Sequence, residues 1–328
     1  MRWRTPLLFS LVGLLWGGSF VAIDAGLPHF PPMLFAGVRY VLAGALVLGY
    51  AAVAADRWWP TSRGDLASVA VAGVLIIAAH HAFLYFAIER ISGAVASVVV
   101  SLGPVLTAVF ASAILTDSGL TRPKVGGLLF GFAGVIVISD IGLSSVASAP
   151  LVGLGLALLA SASFAFGSVA GRPFRTDLPA SAMQGWAMLS GAVLLGVTGV
   201  GTGESFAAIT WSPVAVASLA FLVVGPGTVA FLLYFRLLDD IGPMETNLIV
   251  YLEPVVATLL SWALLGEVIN SRTVVGFLSI FAGFLLVKHR VFAPRLRALL
   301  RERGIGSQPA EPRSEAGDSS GVAPPADD

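Results

Sequence analysis

The 328-residue sequence contains no cysteine, and only 12% of its residues are charged. The absence of cysteine excludes disulfide bonds, thiolate metal sites and cysteine nucleophiles. A soluble domain usually carries about 25% charged residues, so the shortage of charge, together with a hydrophobic fraction of 56%, argues against a soluble fold. Because 19 basic and 19 acidic residues balance to a formal net charge of zero, no positive excess indicates nucleic acid as a partner.

Long apolar runs are abundant instead. A membrane-spanning helix needs roughly 20 mostly apolar residues to cross about 30 Å of hydrocarbon. Ten such runs predict an all-α integral membrane protein with ten transmembrane helices. Their limits are 6–25, 33–54, 66–88, 93–115, 123–141, 151–171, 181–200, 213–235, 243–265 and 272–289. The first run follows a basic start, as the apolar part of a signal peptide does. We interpret it as a transmembrane helix because nine further runs follow it.

The basic residues concentrate on one side of the predicted membrane. Ten spans place both termini on that side, and only Arg90 and Arg272 among the loop residues lie opposite. The positive-inside rule therefore predicts a multi-pass protein of the inner or plasma membrane, with both termini in the cytoplasm. Residues 291–328 begin with a basic segment, VFAPRLRALLRER, that is expected to lie along the anionic leaflet. The polar remainder of this cytoplasmic tail is predicted to be disordered.

The two halves of the chain resemble each other. SLGPVLTAVFASAILTD at 101–117 aligns with YLEPVVATLLSWALLGE at 251–267, and further matches extend the repeat over all five helices of each half. The predicted repeats are residues 7–141 and 151–290. Because five is an odd number, the second repeat must enter the membrane upside down relative to the first. Inverted five-helix repeats around a central cavity are typical of secondary transporters, whose substrate site lies near the midplane between the halves.

The sequence also resembles a known family. The segments that carry the resemblance are WGGSFVAID at 16–24, FAGVR ending at Arg39, ISGAVASVVVSLGPVLTAVFA at 91–111 and YLEPVVATLLSWALLGE at 251–267. They are similar to the EamA branch of the drug/metabolite transporter superfamily over about residues 7–290. The resemblance implies a basket of ten helices and export of amino acids or related small solutes. Asp24 stands where many members carry lysine, so a preference for substrate charge cannot be transferred.

Glu253 is the only charged residue between Thr246 and Gly266. An acid near the membrane midplane costs at least ~2.5 kcal/mol on insertion scales. One interpretation is a carboxylate that binds a proton or a substrate amine. The alternative is a structural acid that hydrogen-bonds a backbone group freed by the Pro254 kink. Under the first interpretation, Glu253 couples transport to protons.

Polar residues form a stripe on each of the fourth and ninth predicted helices. The stripes contain Ser97 and Ser101 on one helix and Asn247 and Tyr251 on the other, at corresponding positions of the repeat. Two stripes that face one cavity would form a small hydrogen-bonding pocket for the substrate. In the alternative interpretation, the serines bond to their own helix backbone and Tyr251 packs between helices.

Two histidines are adjacent on the third predicted helix. His81 and Tyr85 share a face because they are four residues apart, and both are candidates for substrate contact or proton exchange. A buried histidine with satisfied hydrogen bonds is the alternative. No further ligand stands at helical spacing from His80 and His81, so neither a metal site nor a cofactor is predicted.

The remaining candidates affect helix shape and packing. Pro104, Pro254 and the sequence Gly225-Pro226-Gly227 are expected to kink their helices, either as hinges or as packing kinks. Trp16 and Ser19 flank two glycines in the first helix, which suits a cavity wall or close helix packing. Arg39 is expected to reach the membrane interface by snorkelling, with Asp24 as a candidate partner.

The function predicted from these features is secondary transport of a small polar metabolite, an amino acid or related solute. Export by alternating access is expected, with the lipid bilayer as environment and protons as a candidate coupling ion. A lipid-linked or hydrophobic solute is one alternative, and an intramembrane enzyme that uses His80 and His81 is another. The second lacks an HExxH or GxSxG motif to support it, and no GxxxxGK[ST] loop indicates direct use of ATP. The sequence fixes neither the solute nor the oligomeric state.

Overall fold

A computed structural model of the protein describes residues 4–114, 121–139, 149–174, 176–268 and 270–287. Within these ranges all regular elements are helical and there is no strand. Eight helices are long and apolar enough to cross a membrane, and a further apolar helix, Ser271–Leu286, is shorter. The prediction of an all-α membrane protein is therefore confirmed. The predicted basic segment and tail lie outside the described residues.

Each of the ten predicted runs corresponds to one helix, and most limits agree within three residues. The boundary between the eighth and ninth helices was predicted too early, because the eighth helix ends at Gly242 rather than at 235 and the ninth begins at Leu248 rather than at 243. We number the helices α1 to α10 in chain order. Their bounds are Arg4–Gly26, Pro32–Ala54, Arg63–Ile88, Gly93–Ile114, Arg122–Ser139, Ala149–Ala170, Ala180–Gly201, Pro213–Gly242, Leu248–Leu265 and Ser271–Val287. Two short 3-10 turns, Leu27–His29 and Phe206–Ala208, follow α1 and α7.

The chain leaves α8 at Gly242, whose φ of 79° lies in the left-handed region that favours glycine. Pro243 follows, and proline cannot continue the preceding helix. The next segment, Asn247–Tyr251, is a 3-10 turn, and the α-helical part of α9 begins at Glu253. The Gly-Pro pair thus sets the start of the ninth helical run.

Helix packing repeats between the two halves. The most extensive contacts join α2 to α7 and α5 to α10, and each of these pairs consists of a helix and its counterpart in the repeat. The packing of α3 on α6 corresponds to that of α8 on α1, and the packing of α4 on α6 corresponds to that of α9 on α1. This pattern is what two related halves would produce, although the exact repeat limits 7–141 and 151–290 stay a prediction.

Small residues permit close crossings at equivalent places in the two halves. A Cβ atom added to Gly17 of α1 would lie 2.8 Å from the backbone oxygen of Glu253 in α9. LLWGGSF at 14–20 matches LLASASF at 158–164, which pairs Gly17 with Ser161. Ser161 of α6 donates a 3.1 Å hydrogen bond to the carbonyl oxygen of Val100 in α4. Pro104 leaves that oxygen without its helical partner, so a side chain from the other half replaces the lost bond.

Candidate functional site

Four polar residues from α2 and α3 are buried together. Arg39 and Tyr40 of α2 are 4% and 2% exposed, and His81 and Tyr85 of α3 are 9% and 0% exposed. We call these four residues the arginine cluster. They are adjacent on α2 and one turn apart on α3, so the facing surfaces of the two helices bring them into contact. The cluster is surrounded by a hydrophobic core that includes Tyr40 and Tyr85.

Arg39 does not snorkel to the interface, and the expectation from the sequence is wrong. Its Nη1 donates a 3.2 Å hydrogen bond to the hydroxyl of Tyr85, and its guanidinium carbon lies 4.7 Å from the ring centre of Tyr40. Asp24 is not its partner, because the Asp24 carboxylate accepts a 2.7 Å hydrogen bond from the backbone of Gly93. Arg39 lies seven residues beyond Pro32, roughly 10 Å along the helix axis. Contacts available inside the protein therefore hold the side chain below the interface.

No carboxylate neutralises Arg39 in the described part of the chain. The three ion pairs among the described residues join Arg57 to Asp65, Arg57 to Asp177 and Arg90 to Glu89, and none of them involves Arg39. The Nε of Arg39 is buried and has no hydrogen-bond partner there either. A cation inside the membrane costs at least ~2.5 kcal/mol, and a buried charge normally needs an opposite charge. The neutral Tyr85 hydroxyl and the Tyr40 ring satisfy this requirement only in part.

The two histidines have defined hydrogen bonds. A carbonyl oxygen only accepts, so the Nδ1 of His80 donates to the oxygen of Ala160 at 2.8 Å and the Nδ1 of His81 donates to that of Ile77 at 2.9 Å. The Nε2 of His81 can then accept a hydrogen bond from the Tyr40 hydroxyl at 2.5 Å. His81 therefore holds Tyr40 in place beneath Arg39. Its ring centre lies 6.4 Å from that of Tyr85, and the described residues contain no group of three potential metal ligands.

Glu253 is the second buried charge of interest. It is 8% exposed, and no hydrogen bond or ion pair joins its side chain to the residues that the structure describes. It is the first residue of the helical segment Glu253–Leu260, directly after the break that ends the 3-10 turn. Ala257, one turn further along, belongs to the same hydrophobic core as Tyr40 and Tyr85. Glu253 and Arg39 thus border one core without forming an ion pair within the described residues.

Three residues of the predicted polar stripes, Ser97, Ser101 and Tyr251, are buried rather than exposed to an open pocket. The hydroxyls of Ser97 and Ser101 each donate at 2.6 Å to a carbonyl three residues earlier in α4. Tyr251 is 7% exposed, and its hydroxyl has no hydrogen-bond partner among the described residues. The segment Asn247–Tyr251 is a 3-10 turn, so the α-helical spacing assumed for the stripe does not apply to it. The side chain of Asn247 lies outside the described residues.

Trp16 and Ser19 lie where α1 meets α8. The Nε1 of Trp16 donates to the carbonyl oxygen of Pro226 at 3.3 Å, and its ring lies 5.0 Å from that of Tyr234. Ser19 donates to the carbonyl oxygen of Trp16 at 2.6 Å. Trp16 therefore braces the deformed part of α8 rather than presenting a free polar group.

The predicted kinks coincide with irregular helix. Gly225-Pro226-Gly227 begins a π-helical turn, Gly225–Val229. Near Pro104 the helix α4 is interrupted at Ser101 and Leu102, and near Pro254 the helix α9 changes from 3-10 to α. A second π-helical segment, Ala72–Ala79, directly precedes the histidines in α3. Sequence reasoning missed this segment because it contains no proline. Whether these sites act as hinges stays a prediction.

A surface groove lies between α2 and α7. Its volume is about 180 Å³. It is lined by Leu34, Gly37, Val38, Val41, Leu42, Ala192, Gly196 and Phe206. Two of these residues are glycines and the other six have apolar side chains. The groove therefore suits a hydrocarbon chain better than a polar solute.

Sequence reasoning treated Arg39 as structural and did not consider Tyr40. One signal could have identified them, since Arg39 is the only charged residue in the run 33–54. A charge in the middle of a membrane helix indicates function more often than structure.

Comparison with known proteins places the sequence in context. The model of the EamA-like transporter family matches it twice, at residues 3–140 and 151–288. An uncharacterized transporter of Bacillus subtilis, YvbV, is 28% identical over 94% of this chain and 98% of its own. An uncharacterized inner membrane transporter of Escherichia coli, YedA, is 30% identical over 82% of this chain and 87% of its own. These descriptions indicate a membrane transporter rather than an enzyme.

Two further similarities agree with this result. Protein PecM of Dickeya dadantii is 26% identical over 84% of this chain and 89% of its own. A solved crystal structure of a 21% identical protein superimposes with a TM-score of 0.59, covering 88% of this chain and 98% of the other. At that identity the superposition supports the fold alone.

Proposed function

The chain belongs to the EamA-like transporter family of the drug/metabolite transporter superfamily, and on this premise we propose that it exports a small polar metabolite by alternating access coupled to protons. An amino acid or a related solute is the proposed cargo. The chain would lie in the inner or plasma membrane with both termini in the cytoplasm, as the distribution of basic residues indicates. The solute would bind between the two five-helix halves.

Glu253 is the residue on which the proposal rests. Its carboxylate is buried deep in α9 without a partner among the described residues. A permanently charged and unpaired carboxylate is costly at this depth. An acid that alternately binds a proton and the solute avoids that cost, because it is neutral when it carries the proton and paired when the solute is bound. Intramembrane carboxylates form the proton relays of many transporters for this reason.

The helix break at Glu253 gives the carboxylate a route to the solute. The segment Asn247–Tyr251 is not α-helical, and α9 resumes at Glu253. Interrupted membrane helices line substrate sites in many secondary transporters. In the proposed antiport cycle, Glu253 releases its proton on the cytoplasmic side, where the solute then binds. It takes up a proton on the opposite side as the solute leaves.

The remaining candidates have narrower roles in this scheme. The Ser97 and Ser101 hydroxyls donate to their own helix, so they can offer the solute only acceptor lone pairs. The unpartnered Tyr251 hydroxyl can donate. His81 holds Tyr40 through its Nε2, which makes it a positioning residue rather than the main proton carrier.

Export by variants of Glu253 tests the proposal. Small solutes outside cells that overproduce the wild type or Glu253→Gln would be compared without preselection, at matched membrane levels. The exported solute would then be followed in proteoliposomes with an imposed pH gradient. We expect Glu253→Gln to insert normally and to lose at least tenfold in gradient-driven export, because an amide cannot exchange a proton.

The matched control is Glu89→Gln, which makes the same chemical change at an exposed loop residue. It should export like the wild type. If Glu253→Gln moved the solute uphill as well as the wild type does, proton coupling through Glu253 would be excluded.

Transport of a lipid-linked or hydrophobic solute is the second candidate. The apolar groove between α2 and α7 favours it, because Val41 and Leu42 at its edge are exposed. Export of such a solute should be sensitive to Gly196→Leu, which would fill the groove. Export of a polar solute should not change in that variant.

A further inference from the structure

We propose that Arg39 binds the carboxylate group of the transported solute. This inference rests on the proposed transport function and specifies its substrate class, which would be small carboxylic acids such as amino acids. It concerns the arginine cluster of α2 and α3, whereas the proposed proton exchange occurs at Glu253 in α9.

Burial distinguishes Arg39 from the other cations. Among the described lysine and arginine residues it is the only buried one, at 4% exposed. It is also the only charged residue of α2. A cation that serves only to anchor a helix would lie near the interface, where water solvates it. Arg39 is instead enclosed by the hydrophobic core of the protein.

The guanidinium group has unused hydrogen-bonding capacity. It carries five N–H donors, and the described residues accept one hydrogen bond from it, at the Tyr85 hydroxyl. The Nε–H is buried and unpartnered. No acidic side chain in these ranges forms an ion pair with Arg39. The site therefore lacks an acceptor that carries negative charge.

The surroundings hold the guanidinium in a fixed orientation. One Nη1–H is held by Tyr85, and the Tyr40 ring lies against the guanidinium with its centre 4.7 Å from the central carbon. Tyr40 is itself fixed by its hydrogen bond to His81. The side chain is thus pre-organised, which reduces the entropy lost when an anion binds.

Tyr85 can add a second donor. Its hydroxyl oxygen accepts from Arg39, and no acceptor for its own hydrogen occurs among the described residues. A planar carboxylate can accept from the guanidinium through one oxygen and from the phenol through the same or the other oxygen. Guanidinium and carboxylate groups match in shape and form strong charge-assisted hydrogen bonds.

The charge of the cluster favours a carboxylate over a phosphate. One guanidinium offsets one negative charge, and Arg39 is the only cation of the cluster. A phosphate monoester carries about −1.5 to −2 charges at neutral pH, so part of its charge would stay uncompensated inside the membrane. A carboxylate carries a single charge and leaves the site neutral.

Binding of acids and their amides to the purified full-length protein tests the inference. The probes are the twenty proteinogenic amino acids, each supplied separately, and the corresponding amino-acid amides, which lack only the negative charge. Binding is measured as a saturable rise in the unfolding midpoint, because a ligand that binds only the folded state stabilises it. We expect at least one amino acid to bind, and its amide to bind at least tenfold more weakly.

Variants then assign the effect to Arg39. Arg39→Gln should weaken binding of the amino acid at least tenfold, whereas Arg39→Lys should keep part of the affinity because it retains the charge. Arg90→Gln makes the same change at an exposed arginine and should bind like the wild type. If Arg39→Gln does not fold, Tyr85→Phe replaces it, and a several-fold loss of affinity for the acid but not for the amide is expected.

Three results would overturn the inference. They are equal binding of acids and amides, wild-type affinity in Arg39→Gln, and a wild type that none of the acids stabilises. Failure of the proposed function has a separate signature. An acid that binds through Arg39 but is not moved by a pH gradient contradicts the transport proposal alone, and export that is independent of Arg39 contradicts the carboxylate site alone.

Discussion

At the scale of single residues, the buried charges stand where the two repeats differ. The repeat pairs Arg39 with Trp186 and Glu253 with Gly103. Gly103 meets Ser161 from α6 at 3.6 Å from where its Cβ would be, so the position of Glu253 is used for packing in the other half. The shared residues build the scaffold, and the residues that are not shared supply the charges.

Tyr40 tests how the arginine cluster is held. Tyr40→Phe removes the hydroxyl that donates to His81 at 2.5 Å and leaves Nε2 of the imidazole without a donor. Hydrogen bonds between membrane helices contribute about 0.6 kcal/mol on average and about 1.7 kcal/mol at most. We expect a loss near 1 kcal/mol in the free energy of unfolding, measured by denaturant titration in micelles.

Tyr50→Phe is the matched control for this substitution. Tyr50 lies on the same helix and is 51% exposed, so removal of its hydroxyl should leave the stability unchanged. Equal stability of the Tyr40→Phe and Tyr50→Phe variants would show that the hydrogen bond to His81 contributes nothing.

At the scale of helices, the sequence predicted location better than shape. Apolar length was sufficient to locate all ten helices, because the hydrocarbon thickness fixes how many residues a span needs. It was insufficient for the π-helical segment Ala72–Ala79, since apolar length carries no information on the hydrogen-bond pattern within a helix. Apolar length also could not predict that Arg39 is buried, because its hydrogen-bond partner, Tyr85, lies on a different helix.

The π-helical segments show that proline is not the common cause of the deformation. The repeat aligns residues 76–79 of α3 with residues 225–228 of α8, and both stretches are π-helical. Only the second contains a proline, Pro226. These two segments share an equivalent position in the two halves. A third π-helical segment, Ser261–Leu265 of α9, does not, because its counterpart residues 111–114 are α-helical. Such segments frequently occur at functional sites, and His80 directly follows the first.

Gly17 tests the crossing of α1 and α9. A Cβ added there would lie 2.6 Å from Val256 Cβ and 2.8 Å from the Glu253 carbonyl oxygen. A backbone oxygen cannot rotate away, so Gly17→Ala must push the helices apart. Overpacking of this kind costs about 1–3 kcal/mol. We expect a loss of that size in the free energy of unfolding, with impaired export because Glu253 is displaced.

Gly49→Ala provides the comparison. No atom lies within 4 Å of a Cβ added to Gly49, which faces outward on α2. This variant should be as stable as the wild type or more stable by up to about 1 kcal/mol, since alanine favours helix over glycine. If both glycine variants changed stability alike, helix propensity rather than the crossing would be responsible.

At the scale of the whole molecule, contacts join the two halves at both ends of the paired helices α2 and α7. At one end, Thr176 donates at 2.8 Å to the Asp65 carboxylate, which also accepts from Arg57 and from two backbone amides. At the other end, the Glu204 carboxylate accepts from the backbone amides of Met33 and Leu34 at 3.1 and 2.8 Å. Under the alternating access that we propose, these two sets of contacts would break one at a time.

Thr176→Val tests this requirement. Valine preserves the shape of threonine but cannot donate to Asp65, so the contact at that end is weakened while Asp65 keeps its partners in its own half. Because the ratio of two conformations follows their free-energy difference, we expect a several-fold shift towards the conformation that is open at the Asp65 end. The Glu204 end should close in the same proportion.

The absence of cysteine makes the measurement direct, because introduced cysteines are the only sites for thiol-reactive spin labels. One pair, Asp56→Cys with Arg172→Cys, reports on the Asp65 end, and a second, Glu89→Cys with Ala207→Cys, reports on the Glu204 end. All four positions are exposed. Pulsed electron resonance should show that Thr176→Val lengthens distances in the first pair and shortens them in the second.

The control is Thr198→Val, whose hydroxyl bonds only to its own helix, at the Leu194 oxygen. It should reproduce the wild-type distances in both pairs. Opposite shifts at the two ends would mean that the halves move as units about the core that Arg39 and Glu253 border. Lengthening at both ends would instead mean that Thr176 holds the halves together without selecting between two conformations. Unchanged distances would remove the Asp65 contact from the transport cycle altogether.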